Sequence, residues 1–84
     1  MPKTLRSPRH VRLIDLIVEQ RNRAKLSQAE LATKLARYQS VVSQIESGGR
    51  RIDVIEFLDI AEIIDLDVHA VIDDLLSIKQ SGER

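Results

Sequence analysis

Four side chains between residues 39 and 44 carry the groups best suited to chemistry: Gln39, Ser40, Ser43 and Gln44. Amides and hydroxyls both donate and accept hydrogen bonds, which is what base edges in a DNA groove require. Placed on a helix, Gln39 and Ser40 lie in the first turn, and Ser43 and Gln44 follow one turn later on the same side. Glutamine can bond adenine N6 and N7 together. The opposing reading is an ordinary hydrated face, but such faces normally carry Lys and Glu, and this one carries neither. Around it stand Arg37, Tyr38, Arg50 and Arg51. The arginines suit phosphate oxygens better than bases. Tyr38 can give its hydroxyl to a phosphate or cap the turn.

The surrounding residues explain how such a face would be held. From Leu26 to Gly48 the chain predicts two short amphipathic helices joined by a tight turn. Ser27 stands where an N-cap belongs, with Glu30 three residues on, which is a capping box. Leu31, Ala32 and Leu35 then recur at helical spacing over 28–35, leaving Thr33 and Lys34 outside. In the next helix, 39–47, Val42 and Ile45 face inward. Gly48 closes it, because glycine reaches a left-handed cap without a Cβ penalty. Gln28 opens the first of the two helices, where its backbone N–H and side chain can meet a phosphate.

With these residues in place, the stretch resembles the helix-turn-helix of the Xre/Cro/cI-type bacterial and phage repressors. The resemblance spans about Leu13 to Leu76 and rests on Leu26-Ser27-Gln28, Leu31-Ala32 and Leu35, followed by Val42-Ser43, Ile45-Glu46 and Gly48. Two positions depart from the family. It usually has Gly where Ala36 stands, and an apolar residue and Ser where Arg37 and Tyr38 follow. Ala36 would raise the cost of any positive-φ geometry. The resemblance implies an all-α, five-helix bundle of the lambda-repressor-like DNA-binding type. It implies a sequence-specific regulator of transcription on double-stranded DNA, acting as an autoregulatory repressor. It also implies that Arg21 pairs with Glu46, pinning helix 1 to helix 3, and that Gln28 braces Gln39 across the turn.

Composition sets bounds on all this. Eighty-four residues allow one small domain. With 43% hydrophobic but only 2% aromatic residues, the core must be Leu, Ile, Val and Ala, which favours packed helices. The absence of cysteine excludes disulfides and thiolate zinc sites and fits a reducing cytoplasm. No apolar run approaches the roughly 18 residues of a membrane span, and the basic start lacks the apolar stretch of a signal peptide. The expectation is a cytoplasmic, nucleoid-associated protein with no membrane partner.

A formal net charge of zero argues against nucleic acid until its distribution is considered. Residues 1–51 hold eleven Lys and Arg against four acids, a net +7, while residues 52–84 hold two against nine, a net −7. Phosphates respond to the local field, screened beyond about 10 Å. The basic half is also the half with the helix-turn-helix.

The remaining elements follow in order. Residues 1–7 read as a flexible basic arm, with Lys3 and Arg6 able to follow phosphates or a minor groove. Ser7 and Pro8 start helix 1, which runs to about Ala24 on Leu13, Ile14, Leu16, Ile17 and Val18. Asp53 and Glu56 start helix 4, about Val54 to Ile64, whose Val54, Ile55, Phe57, Leu58, Ala61 and Ile64 should cover the core. Asp67 caps helix 5. Its Val68, Val71, Ile72, Leu75 and Leu76 exceed what so small a domain can hide, and predict a homodimer seam. The domain would therefore span 8–78, with 79–84 a disordered tail.

No enzyme constellation is present. His10 and His69 read as surface residues without a second ligand at helical spacing. Asp73 and Asp74 read as solvated surface, and Gly48-Gly49 alone makes no phosphate loop. Catalysis, metal and cofactor are not expected. The expected mechanism is steric: two recognition helices in successive major grooves roughly 34 Å apart on a pseudo-palindromic operator. Phage repressor, toxin-binding antitoxin and restriction–modification controller all fall within this expectation, as does contact with RNA polymerase. The alternative from another class is a protein-interaction adaptor, whose helix 5 and acidic half would bind a partner such as a toxin.

Overall fold

A computed structural model of the chain describes residues 7–78. Among these the elements are α1 (Pro8–Arg23), α2 (Gln28–Leu35), α3 (Gln39–Glu46), α4 (Val54–Ile64) and α5 (Val68–Leu76), with no strand. The all-α, five-helix fold is as expected. The basic arm to Arg6 and the tail from Lys79 lie outside the described residues.

Local chemistry sets where the helices start. Ser7 Oγ accepts the His10 N–H at 3.2 Å, with Pro8 in the first turn. Ser27 with Glu30 and Asp53 with Glu56 form complete capping boxes. Asp67 accepts the Ala70 N–H at 3.0 Å. Tyr38 holds the N-cap position of α3 but makes no side-chain cap, because its hydroxyl lies at the far end of the ring. The turn-capping role expected of it is not fulfilled.

Four helices stop by one device. One or two positions past the last helical residue the chain turns left-handed, and the N–H after that turn reaches back five residues. These bonds run from Leu26 to Arg21 O (3.2 Å), Arg37 to Ala32 O (2.9 Å), Gly49 to Gln44 O (3.0 Å) and Leu66 to Ala61 O (2.9 Å). Only one of the left-handed residues is glycine, Gly48 at φ 80°; Lys25, Ala36 and Asp65 adopt φ of 62°, 59° and 59° with a Cβ present. Leu26 and Leu66 follow two of these turns and pack against the core, which helps to hold the strained residue before each.

The core joins Ile14 and Ile17 of α1, Leu31 and Ala32 of α2, Val42 and Ile45 of α3, Phe57, Ile60 and Ile64 of α4, and Val71 of α5. Helix 4 departs from expectation. Phe57, Ala61 and Ile64 are buried, but Val54, Ile55 and Leu58 face outward at 70%, 66% and 40% exposure, since a helix buries only one stripe against its bundle. On α5, Val71 is buried in the chain's own core, and Val68 and Leu75 pack partly against it, leaving Ile72 and Leu76 outward.

Two surface expectations are corrected. His10 is only 5% exposed, because its position on α1 turns it inward. Asp74 is no free surface acid: Arg12 grips it with Nε at 2.9 Å and Nη2 at 3.0 Å, tying α1 to α5. That guanidinium holds the Asp74 carboxyl below its ordinary range. Gln20 donates to Ile64 O at 3.0 Å and so ties α1 to the end of α4.

Candidate nucleic-acid interface

Helix α3 is positioned by what it buries. Val42 and Ile45 enter the core and Val41 is half-buried, which turns Gln39, Ser40, Ser43 and Gln44 to solvent as one ridge. None of those four side chains hydrogen-bonds another described residue. At the helix start, the Val41 N–H bonds Tyr38 O at 3.0 Å, and no side chain covers the first turn. An uncovered helix start presents N–H groups and a partial positive charge, which suits an anion.

The far end of α3 is held by Glu46. Arg21 of α1 donates to it twice, Nε to Oε2 at 2.6 Å and Nη2 to Oε1 at 2.9 Å. The remaining Arg21 amine, Nη1, donates to Leu26 O at 2.8 Å. Gln28 Nε2 adds a fourth bond in the cluster, to Glu46 Oε1 at 2.9 Å. The side chains of Arg21 and Glu46 are only 11% and 6% exposed, so this is a largely dehydrated charge pair with its donors matched. Hydrogen bonding to Glu46 raises the Arg21 pKa. The bracing role of Gln28 needs correction: its amide nitrogen holds Glu46, not Gln39.

The arginines that flank α3 differ from one another. Arg50 Nη2 donates to Glu56 Oε2 at 2.8 Å, and Arg37 Nη1 stands 3.4 Å from the same oxygen. Arg50 is two-thirds buried and its Nη1 has no partner. Arg37 is half-exposed on a looser contact. Arg51 and Tyr38 are exposed. No cluster of three His, Cys, Asp or Glu suited to a metal occurs among the described residues. Nor is any described helix long and apolar enough to cross a membrane.

Comparison with known proteins matches this arrangement. The helix-turn-helix family matches residues 17–70, well over half of the chain. A solved structure of an "XRE-family like protein" from Pseudomonas syringae pv. tomato str. DC3000 is 43% identical, with a TM-score of 0.79, over 89% of this chain and 92% of that one. No curated protein matches. The chain belongs to the Xre-type helix-turn-helix family. It is a DNA-binding helix-turn-helix regulator domain of that family.

Three structural features of this Xre-type regulator left little mark on its sequence. Glu56 was visible only as a capping residue, although its second oxygen meets Arg37 and Arg50. His10 is buried and feels the charge of Arg51. Lys25 gave no turn signal of its own beyond the Leu26 that follows it.

Proposed function

We propose that this regulator binds a pseudo-palindromic operator as a homodimer and represses transcription by occupying the promoter, its own included. Helix α3 enters the major groove. Gln39, Ser40, Ser43 and Gln44 read base edges, and Arg37, Tyr38, Arg51 and the start of α2 at Gln28 meet phosphates. Arg50, bound to Glu56, takes the more structural share of that work. The observation that carries this reading is the exposed, unbonded amide-and-hydroxyl ridge on a helix fixed at its far end by a dehydrated ion pair. A rigid reader loses little entropy on docking. The seam between copies draws on Ile72 and Leu76, the outward apolar residues of α5. A sedimentation run at micromolar concentration checks it: Leu76→Lys is expected to shift a dimer towards monomer.

Selecting bound duplexes from a random pool would yield the operator. Against it, Gln44→Ala is expected to cost about 1–3 kcal/mol and to relax preference at one base position, whereas Arg51→Ala should weaken all sequences alike. Equal losses for Gln44→Ala on operator and random duplex would mean that this residue reads nothing. The exposed Val54, Ile55 and Leu58 favour a second reading, an adaptor that binds a partner such as a toxin. Salt separates the two: a DNA reader loses affinity with a log–log slope near −0.9 per phosphate neutralised. An adaptor would show no duplex preference.

A further inference from the structure

Both ends of the recognition helix are tied to a single carboxylate. Arg37 immediately precedes the N-cap residue of α3, and Arg50 lies just beyond its closing glycines. Their guanidinium groups converge on Glu56 Oε2, at 3.4 Å and 2.8 Å. The other oxygen of Glu56, Oε1, accepts the Asp53 N–H at 3.3 Å, so α4's own capping box fixes where the carboxylate sits. Glu56 is largely buried, with a side chain 12% exposed, while Arg37 is 47% exposed. The anchor is thus rigid, and one of its two cations can leave.

We propose that Glu56 is a built-in counter-anion that competes with duplex phosphate for Arg37 and so holds down sequence-independent binding. The proposal rests on the DNA-binding reading above. Phosphate neutralisation supplies most of non-specific affinity. An arginine already satisfied by a carboxylate contributes less to it, because each phosphate contact must first displace the protein's own anion. Arg50 behaves differently. It is more buried and bound at shorter range, so it stays on Glu56 and keeps the loop after α3 in place.

The test is Glu56→Gln, which retains the capping box because Gln also serves at that position. Affinity for operator and for random duplex is expected to rise together, about two- to fivefold, the range of a partly exposed ion pair. The salt slope should steepen by about one, because no freed carboxylate then takes up a cation to offset the one released from the phosphate that Arg37 meets. Adding Arg37→Gln should abolish the gain; a gain that persists in the double variant would overturn the assignment to Arg37. A purely structural Glu56 predicts the opposite, a loss on operator greater than on random duplex, and that result or unchanged affinity would overturn the proposal. Thermal melting of both variants shows that the fold is intact. Heparin serves as a second polyanion: later elution of Glu56→Gln is expected, and unchanged elution counts against the counter-anion. If elution shifts while neither protein binds any duplex, the DNA-binding reading fails and the electrostatic one stands.

Discussion

Replacing Arg21 by alanine removes three hydrogen bonds at once, two to Glu46 and one to Leu26 O. It leaves the Glu46 carboxylate, 6% exposed, with Gln28 as its donor. Breaking a buried pair from one side costs about 3–5 kcal/mol, because the partner charge is stranded away from water. An exposed pair would cost about 0.2–1 kcal/mol. Burial of both partners places this one in the first class. Domains of this size hold about 0.05–0.15 kcal/mol per residue, so the loss is a large share of total stability. A drop of about 3 kcal/mol lowers Tm by at least about 12 °C. Urea unfolding followed by far-UV circular dichroism would read it as a lower midpoint at unchanged m. Hydrogen bonding to Glu46 raises the Arg21 pKa above its ordinary value, so its contribution is full below that ordinary value and lost only as pH rises through the still higher folded one. The cost should therefore be alike at pH 6 and pH 8. Arg21→Met with Glu46→Leu should recover most of the loss, since an apolar pair has no charge to strand. A loss under about 1 kcal/mol for Arg21→Ala would refute the reasoning, because the pair would then behave as solvated.

Two further outcomes follow from single residues. Ala36→Gly relieves a left-handed alanine at φ 59°; the relief of about 1–2 kcal/mol exceeds the unfolded-state penalty of about 0.4–1 kcal/mol, so a small rise in Tm is expected. A fall would mean that the turn is not strained. Burial first, and then the charge of Arg51, pushes the His10 pKa below 6.5. The unfolded chain then takes up the proton more readily, so stability is held above 6.5 and lost as pH falls through the folded value. His10→Leu should flatten that part of the profile in urea midpoints; an unchanged slope would assign it to other groups. Below about pH 4 a separate loss is expected as Asp74 leaves Arg12, because its folded pKa lies under 3.8.

Much of this architecture was legible because local rules and burial agreed. Ser7, Ser27, Asp53 and Asp67 each cap the helix they precede, and α2 and α4 occupy the residues expected. Helices α1 and α3 each end one residue short of expectation, at Arg23 and Glu46. The inward turn of Val42 and Ile45 followed from spacing alone. The Arg21–Glu46 pair did not; it came from the family resemblance, since twenty-five residues of separation leave no local pattern. Three of the errors have a common cause. Glu56, Asp74 and His10 meet Arg37, Arg12 and the charge of Arg51, all distant in sequence, so polarity alone suggested a cap or solvent, while the family resemblance had set Gln28 against Gln39 rather than Glu46. Helix α4 misled differently: it is apolar on more than one side, and only packing decided that Val54, Ile55 and Leu58 stay out.

The central claim is that the outer ridge of α3 is the surface that meets duplex DNA. Titrating isotope-labelled protein with its selected duplex and following the side-chain amide and backbone NMR signals tests this directly. Gln39, Ser40, Ser43, Gln44 and the neighbouring Arg51 are expected to shift, with Gln44 more affected by the selected duplex than by a scrambled one. Shifts centred instead on Val54, Ile55 and Leu58, with the α3 amides unmoved at saturation, would contradict it.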